Sequence, residues 1–436
     1  MASFSAAGAE PPLARAGAAN ETIDLLDGRH YEGFIESEDP AWIDLIEIHR
    51  PPGQPMHLVI RPLDRRSVAA VVRLDEAGRG RLKAQIEQFR NRAVIEAGRI
   101  EAVRLEPAEA EGNHYRRYHG QWFTLDSTTD EASTRRVIVR VEQIFTAYRQ
   151  MLAPRSAAPP RPLRVIVFGS MDAYQGFLAR RGLNFQNRAC FLEGENLVAA
   201  GTDLTRLASQ IAWISSQHNR IRRDLEQLEK RFRARQAELA QQFKKDGLDP
   251  REIPKLLVKE KAEFDKQVKE KREELNKFDR KNAALFNAAT QQMFARLYHE
   301  SFHAYLENYV YPHQRHDVPH WLNEGLAMMF EAGILDGDTL RVDAPHGVAL
   351  KKLREDLLVQ PLSLTKLLEA DQSAFLTAEH ASPTSSNRHY VYAWGLVYYL
   401  AFQRHLLDSA ALDAYVQPGA KTAPPVARFE KLVAMP

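Results

Sequence analysis

Between Leu207 and Ala289 apolar residues recur in alternating steps of four and three, and this pattern constrains the fold more than any other feature of the chain. One seam runs Leu207, Ile211, Ile214, His218, Ile221, Leu225, Leu228, Phe232, Arg235 and Leu239. The other runs Phe264, Val268, Lys271, Leu275, Phe278, Asn282, Leu285 and Ala289. A heptad seam needs a second helix to cover it. Two seams with one break between them therefore predict an antiparallel helical hairpin. The break carries stop and start signals: Gly247 ends one helix, and Asp249 caps the next with Pro250 at its first position and Glu252 closing a capping box. Leu248 and Ile253 form the staple. About forty residues of helix reach roughly 60 Å, so the pair should project as an arm from any compact body.

Charge divides along the same line. Asn219 to Lys281 holds 20 Lys+Arg against 14 Asp+Glu, a net +6 that leaves −4 on the rest of a chain whose total is +2. A solvated coiled-coil face accounts for that charge, and an arm that docks an acidic partner or surface is the alternative. Near-neutral total charge argues against a dedicated nucleic-acid binder. The only cysteine is Cys190, which rules out a disulfide framework and a cysteine zinc cluster and reads as a buried small residue. No run approaches the ~18–20 apolar residues of a membrane span, so none is expected.

Residues 1–20, rich in Ala, Gly, Pro and Ser, read as a disordered tail or the remnant of a signal peptide. Residues 21–75 alternate short apolar runs with turn signals, Asp27-Gly28 above all, and resemble a small SH3-like or Sm-like β-barrel. A linking helix is expected over 76–112. Residues 113–204 then read as an α/β part with a small mixed sheet. It has an amphipathic helix from about Asp130 to Met151, a buried strand at Leu163 to Phe168, a helix at Met171 to Arg181 and a strand at Asn196 to Ala200. The arm occupies 205–290, and a helical part, 291–436, completes the chain.

That last part carries the chemistry. His299-Glu300-Ser301-Phe302-His303 is an HExxH sequence. On a helix its histidines lie one turn apart on one face, able to grip one Zn²⁺, with Glu300 beside them to take a proton from water. A catalytic zinc needs a third protein ligand. The metzincin pattern would require Gly at 306 and His at 309, where this chain has Leu306 and Tyr309. A Glu from the following helix is the other solution, and Glu324 stands twenty-one positions after His303, behind the Pro319 that opens a helix. His313, His316 and His320 fall in a loop-like stretch. One of them can join the surroundings of the metal; solvated loop positions are expected for the others.

HESFH at 299–303, PHWLNEGLA at 319–327 and YVYAWGLVYYL at 390–400 together resemble the peptidase-MA-like gluzincins of a bacterial family known as a domain of unknown function. The likeness extends to Thr134–Arg149 and Leu163–Tyr174, and so covers about residues 115–435, interrupted by the arm. It implies an α+β, thermolysin-like zinc-protease core. It carries the ligand roles to His299, His303 and Glu324, the base to Glu300, and an oxyanion-stabilising role to Tyr390. This chain departs from the pattern at Met328, where gluzincins often place an acidic residue that orients a ligand.

The expected activity is that of a zinc-dependent metallopeptidase, hydrolysing peptide bonds by Glu300-assisted attack of zinc-bound water. The strand near Asn196 to Ala200 is the expected cleft edge, holding an extended peptide by β-addition. The expected partners are a peptide or protein substrate and, through the arm, another protein or a second copy. Resemblance favours a secreted or periplasmic bacterial site. The competing reading is a non-catalytic envelope scaffold or adaptor that binds through arm and barrel and whose zinc site is structural or inactive.

Overall fold

A computed structural model describes residues 20–51, 56–155, 162–184, 186–245, 253–331, 333–336, 339–342, 345, 347–376, 388–418 and 423–434. The expected tail before residue 20 and the arm's turn at 247–252 lie outside them. The architecture is mixed α+β. Among the described residues no helix is long and apolar enough to cross a membrane.

Strands β1 (Glu21–Leu25), β2 (His30–Glu38), β3 (Trp42–His49), β4 (His57–Asp64) and β5 (Val68–Val72) form an antiparallel sheet in the order β4-β3-β2-β1-β5. Gly28 turns the first hairpin at φ +86°, a conformation that only glycine adopts freely. The expected closed barrel is corrected to an open sheet, because β4 pairs with β3, β5 pairs with β1, and the two outer strands do not meet. The reason lies in the alternation of side chains. Ile23, Ile35, Ile43 and Leu45 pack on one face, while Phe34 and Ile46 point to the other and are covered by Leu82 and Ile86 of α1 (Glu76–Arg90). A helix thus takes the second face. Arg79 of α1 pairs with the fully buried Glu21 of β1 and fixes the helix there.

After α2 (Arg92–Ala102) a second sheet begins with β6 (Glu106–Ala110), inside the span expected to be a linking helix. It continues through β7 (Asn113–His119) and β8 (Phe123–Ser127). Helix α3 (Glu131–Met151), capped by Asp130, returns the chain to β9 (Leu163–Phe168), and α4 (Met171–Ala179) leads to β10 (Ala189–Leu192) and β11 (Leu197–Gly201). The order is β10-β11-β9-β8-β7-β6, with β9 parallel to both its neighbours. The strand expected at the cleft edge, β11, is interior and buried along its whole length. The edge is β10, whose four residues are too few to show an alternating pattern.

The arm consists of α5 (Leu204–Lys245) and α6 (Ile253–Tyr305). Ile221 and Val268 are buried, and the Phe232 and Phe264 rings stack at 3.9 Å. Helix α6 does not stop where the arm meets the body. Its 53 residues, about 80 Å of rod, carry the HExxH residues in the last two turns before a π-helical turn at Leu306–Val310. Then come α7 (His320–Glu331), the hairpin β12 (Ile334–Asp336) and β13 (Thr339–Arg341), α8 (Gly347–Val359), α9 (Leu364–Leu368), α10 (Gln372–Leu376), α11 (Arg388–Tyr398), α12 (Ala410–Tyr415) and α13 (Pro425–Ala434).

Tyr148 of α3 joins these helices. Its ring is fully buried and meets Phe302 and Tyr305 of α6 at 5.3 and 5.4 Å and Phe330 of α7 at 4.6 Å. Its hydroxyl donates to the Tyr298 carbonyl at 2.5 Å. Tyr148→Phe should cost about 1 kcal/mol, the net worth of that hydrogen bond. Tyr148→Ala should cost about 3–5 kcal/mol through the cavity it opens. Urea unfolding of both variants measures the difference; equal losses would mean that ring packing does not hold the helices together.

Candidate metal centre

HExxH lies on α6 and Glu324 on α7, and the two helices pack side by side. Nε2 of His299, Nε2 of His303 and the Glu324 carboxylate converge, with one ligand atom from each residue within 4.8 Å of the others. His299 Nε2 lies 3.2 Å from Glu324 Oε2 and His303 Nε2 lies 3.6 Å from Glu324 Oε1. His299 and Glu324 are buried, and His303 is partly so.

The outer nitrogens have partners of their own. His303 Nδ1 donates to Asn323 Oδ1 at 2.8 Å, which leaves Nε2 as the lone-pair side facing Glu324. His299 Nδ1 lies 3.0 Å from Glu331 Oε1, close but without hydrogen-bond alignment. A carboxylate behind a ligating imidazole orients it and raises its basicity. Glu331, seven positions after Glu324 and so two turns along the same face, brings a carboxylate behind His299. Arg296 ties the shell together, donating to Glu331 at 2.9 Å and to Glu300 Oε1 at 3.1 Å. The other oxygen of Glu300 accepts from the Phe191 N–H of β10 at 3.0 Å. Both oxygens of the base candidate are held, one by its own helix and one by the edge strand.

Glycine explains much of PHWLNEGLA and YVYAWG. A Cβ on Gly325 would lie 2.5 Å from the Ala393 carbonyl oxygen of α11, so α7 and α11 touch backbone to backbone beside Glu324. Gly395 would likewise strike Leu353 of α8. Trp394 is buried in the core, and Tyr390 packs edge-on against Phe375 of α10 at 5.1 Å. Phe375 also carries the rings of His389 at 5.5 Å and His320 at 4.7 Å. Tyr390 thus stands one ring away from His320, and His320 itself faces Glu324.

Of the loop-like histidines, His320 joins the site at the first turn of α7. His313 lies at an exposed cluster, 2.6 Å from Glu307 and 3.0 Å from Glu193. His316 packs against Tyr311. Cys190 is buried on β10, and burial pushes its thiol up to about 11, so it stays protonated at neutral pH. Arg296, Asn323, Glu331 and Phe375 were not read from sequence. Arg296 and Glu331 were visible in principle, at i−4 from Glu300 and i+7 from Glu324.

Residues 293–424 match a family model described as a protein of unknown function (DUF1570). That span holds the end of α6, all of α7 and α11 and the β12–β13 hairpin, and excludes the five- and six-stranded sheets and most of the arm. No curated protein matches the chain.

The donor set suits zinc: two imidazole nitrogens and a carboxylate, with Asn323 bonded to the second nitrogen of His303 and the Glu331 carboxylate 3.0 Å from that of His299. Burial pushes the His299 pKa down, but the Glu331 charge and the Glu324 hydrogen bond outweigh it and raise the pKa well above the usual range. Burial pushes Glu324 up, and the charges and hydrogen bond of His303 and His299 outweigh it and hold it low. A metal ion must displace the His299 proton, so binding should release about one proton and tighten as pH rises. Chelator competition with Zn²⁺ from about pH 6 to about pH 8 tests this, and a flat profile would contradict the exchange. Gly325→Ala should lose about 1–3 kcal/mol by overpacking α7 on α11, and should weaken zinc binding through Glu324. Thermal melts and the same competition assay report both effects; an unchanged zinc affinity would uncouple that contact from the site.

Proposed function

We propose that the protein is a zinc-dependent metallopeptidase of gluzincin type. The observation that carries this reading is the convergence of His299, His303 and Glu324 beside a base candidate, Glu300, on a helix packed against a sheet edge. His299, His303 and Glu324 would hold Zn²⁺, which when bound supplies Lewis acidity and lowers the pKa of water towards ~7.

The remaining work falls to the chain. Glu300 takes the proton of the attacking water and passes it to the leaving amine, while Arg296 holds one oxygen of its carboxylate. Glu331 and Asn323 keep the ligand imidazoles turned inward. Strand β10 is the outer strand of its sheet and reaches Glu300 through Phe191, so an extended peptide added along it has its backbone next to the base. A peptide or protein is therefore the substrate class.

His303→Ala should lose zinc and activity together. Glu300→Gln should keep zinc and lose about 10²–10⁴ of turnover. Metal analysis with a casein and peptide-library digest reads both; undiminished hydrolysis by Glu300→Gln would falsify the assigned base. The scaffold reading draws its support from the long arm, and it predicts zinc-loaded wild type with no hydrolysis of any library peptide.

A further inference from the structure

Three imidazoles, rather than two, approach Glu324. His320 lies one turn before it on α7 and therefore on the same face. Its Nε2 is 3.6 Å from Glu324 Oε1, the same oxygen that lies 3.6 Å from His303 Nε2. That is too long for a hydrogen bond that would position Glu324. His320 also lies outside the group of mutually close ligand atoms, which comprises His299, His303 and Glu324. It is neither a ligand by this geometry nor a clamp on one.

The ring is nonetheless fixed. Its side chain is only 23% exposed, and it rests edge-on against the fully buried Phe375 at 4.7 Å. Among the described residues neither ring nitrogen makes a hydrogen bond. Glu300, next to His299, is tied to β10, and His320, whose Nε2 faces Glu324, rests on α10, so both adjoin the group formed by His299, His303 and Glu324.

We propose that His320 is a catalytic residue of this site: its Nε2–H donates a hydrogen bond to the scissile carbonyl oxygen as negative charge develops there. The assignment rests on the metallopeptidase reading. It moves the oxyanion-stabilising role from Tyr390 to His320. No proton is transferred in the step; His320 supplies a donor already in place.

The test compares full-length wild type with His320→Ala, His320→Gln and Tyr390→Phe, each checked for folding by thermal melting. Zinc affinity is measured by chelator competition, and the ligand field is read from the absorption of the Co²⁺-substituted protein. Peptide kinetics use the best-cleaved library sequence, and its phosphinic analogue, which mimics the tetrahedral oxyanion, is titrated by calorimetry. His320→Ala should keep the zinc affinity and Co²⁺ spectrum of wild type, lose about 10²–10³ in kcat with KM little changed, and bind the phosphinic analogue correspondingly more weakly. His320→Gln should recover part of the loss, since its amide N–H reaches nearly the same point. A changed Co²⁺ spectrum in His320→Ala would make His320 a ligand and overturn the proposal. So would intact kcat in His320→Ala with the loss carried by Tyr390→Phe. Wild type without zinc or hydrolysis overturns the underlying reading and this assignment with it, whereas active wild type matched by His320→Ala overturns the assignment alone.

Discussion

The spacing between α6 and α7 is the constraint on which the centre depends, and Tyr148 does much to set it. Metal ligands drawn from two helices are useful only if the helix axes hold their separation to a fraction of an ångström, because donor–metal distances near 2 Å tolerate little error. Tyr148 reaches both helices from α3, packing on Phe302 and Tyr305 of one and Phe330 of the other, and its hydroxyl meets the Tyr298 carbonyl one residue before His299. On the opposite flank of α7, Gly325 lets α11 approach to backbone contact. The helix that carries Glu324 is thus gripped from both sides, by a large aromatic ring and by the absence of a side chain.

The continuity of α6 gives the arm a direct mechanical relation to the centre. One unbroken helix runs from the arm into the last turns that bear His299, Glu300 and His303. The other arm helix, α5, is rooted at the end of β9, where the buried Thr202 hydroxyl donates to the Phe168 carbonyl and accepts from the Leu204 N–H. Both ends of the arm therefore enter the core, one beside the sheet and one through the helix that carries His299 and His303. A helical insertion here extends an element that is already present, and this avoids breaking the backbone hydrogen bonds of either helix at the junction.

Regular features were legible in the sequence, and single contacts across the fold were not. The seams of α5 and α6, the β-branched run of β9 and the amphipathic α3 stand at or within a residue or two of where periodicity places them. HExxH with a downstream Glu names three residues that do converge. The open N-terminal sheet was missed because turn chemistry identifies neighbouring strands, whereas closure depends on α1 covering a second apolar face. Strand β10 was missed because four residues carry no period. Glu331 and Arg296 escaped notice for another reason. Charged residues on helix surfaces are usually solvated, and only the packing of α6 against α7 turns this pair inward.

Each wall of the centre comes from a different folded unit. The β10 edge holds one oxygen of Glu300, α6 presents the histidines, α7 brings Glu324 and His320, and Phe375 of α10 supports His320 from behind. No local segment contains the whole site, so its geometry is a property of packing between units. That arrangement separates two kinds of damage. A lesion between the sheet and α6 moves Glu300 and leaves the convergence of His299, His303 and Glu324 intact, because Glu300 is the group tied to β10. A lesion between α7 and α11 moves Glu324 relative to the histidines and disturbs the candidate ligand set first, because Gly325 is adjacent to Glu324.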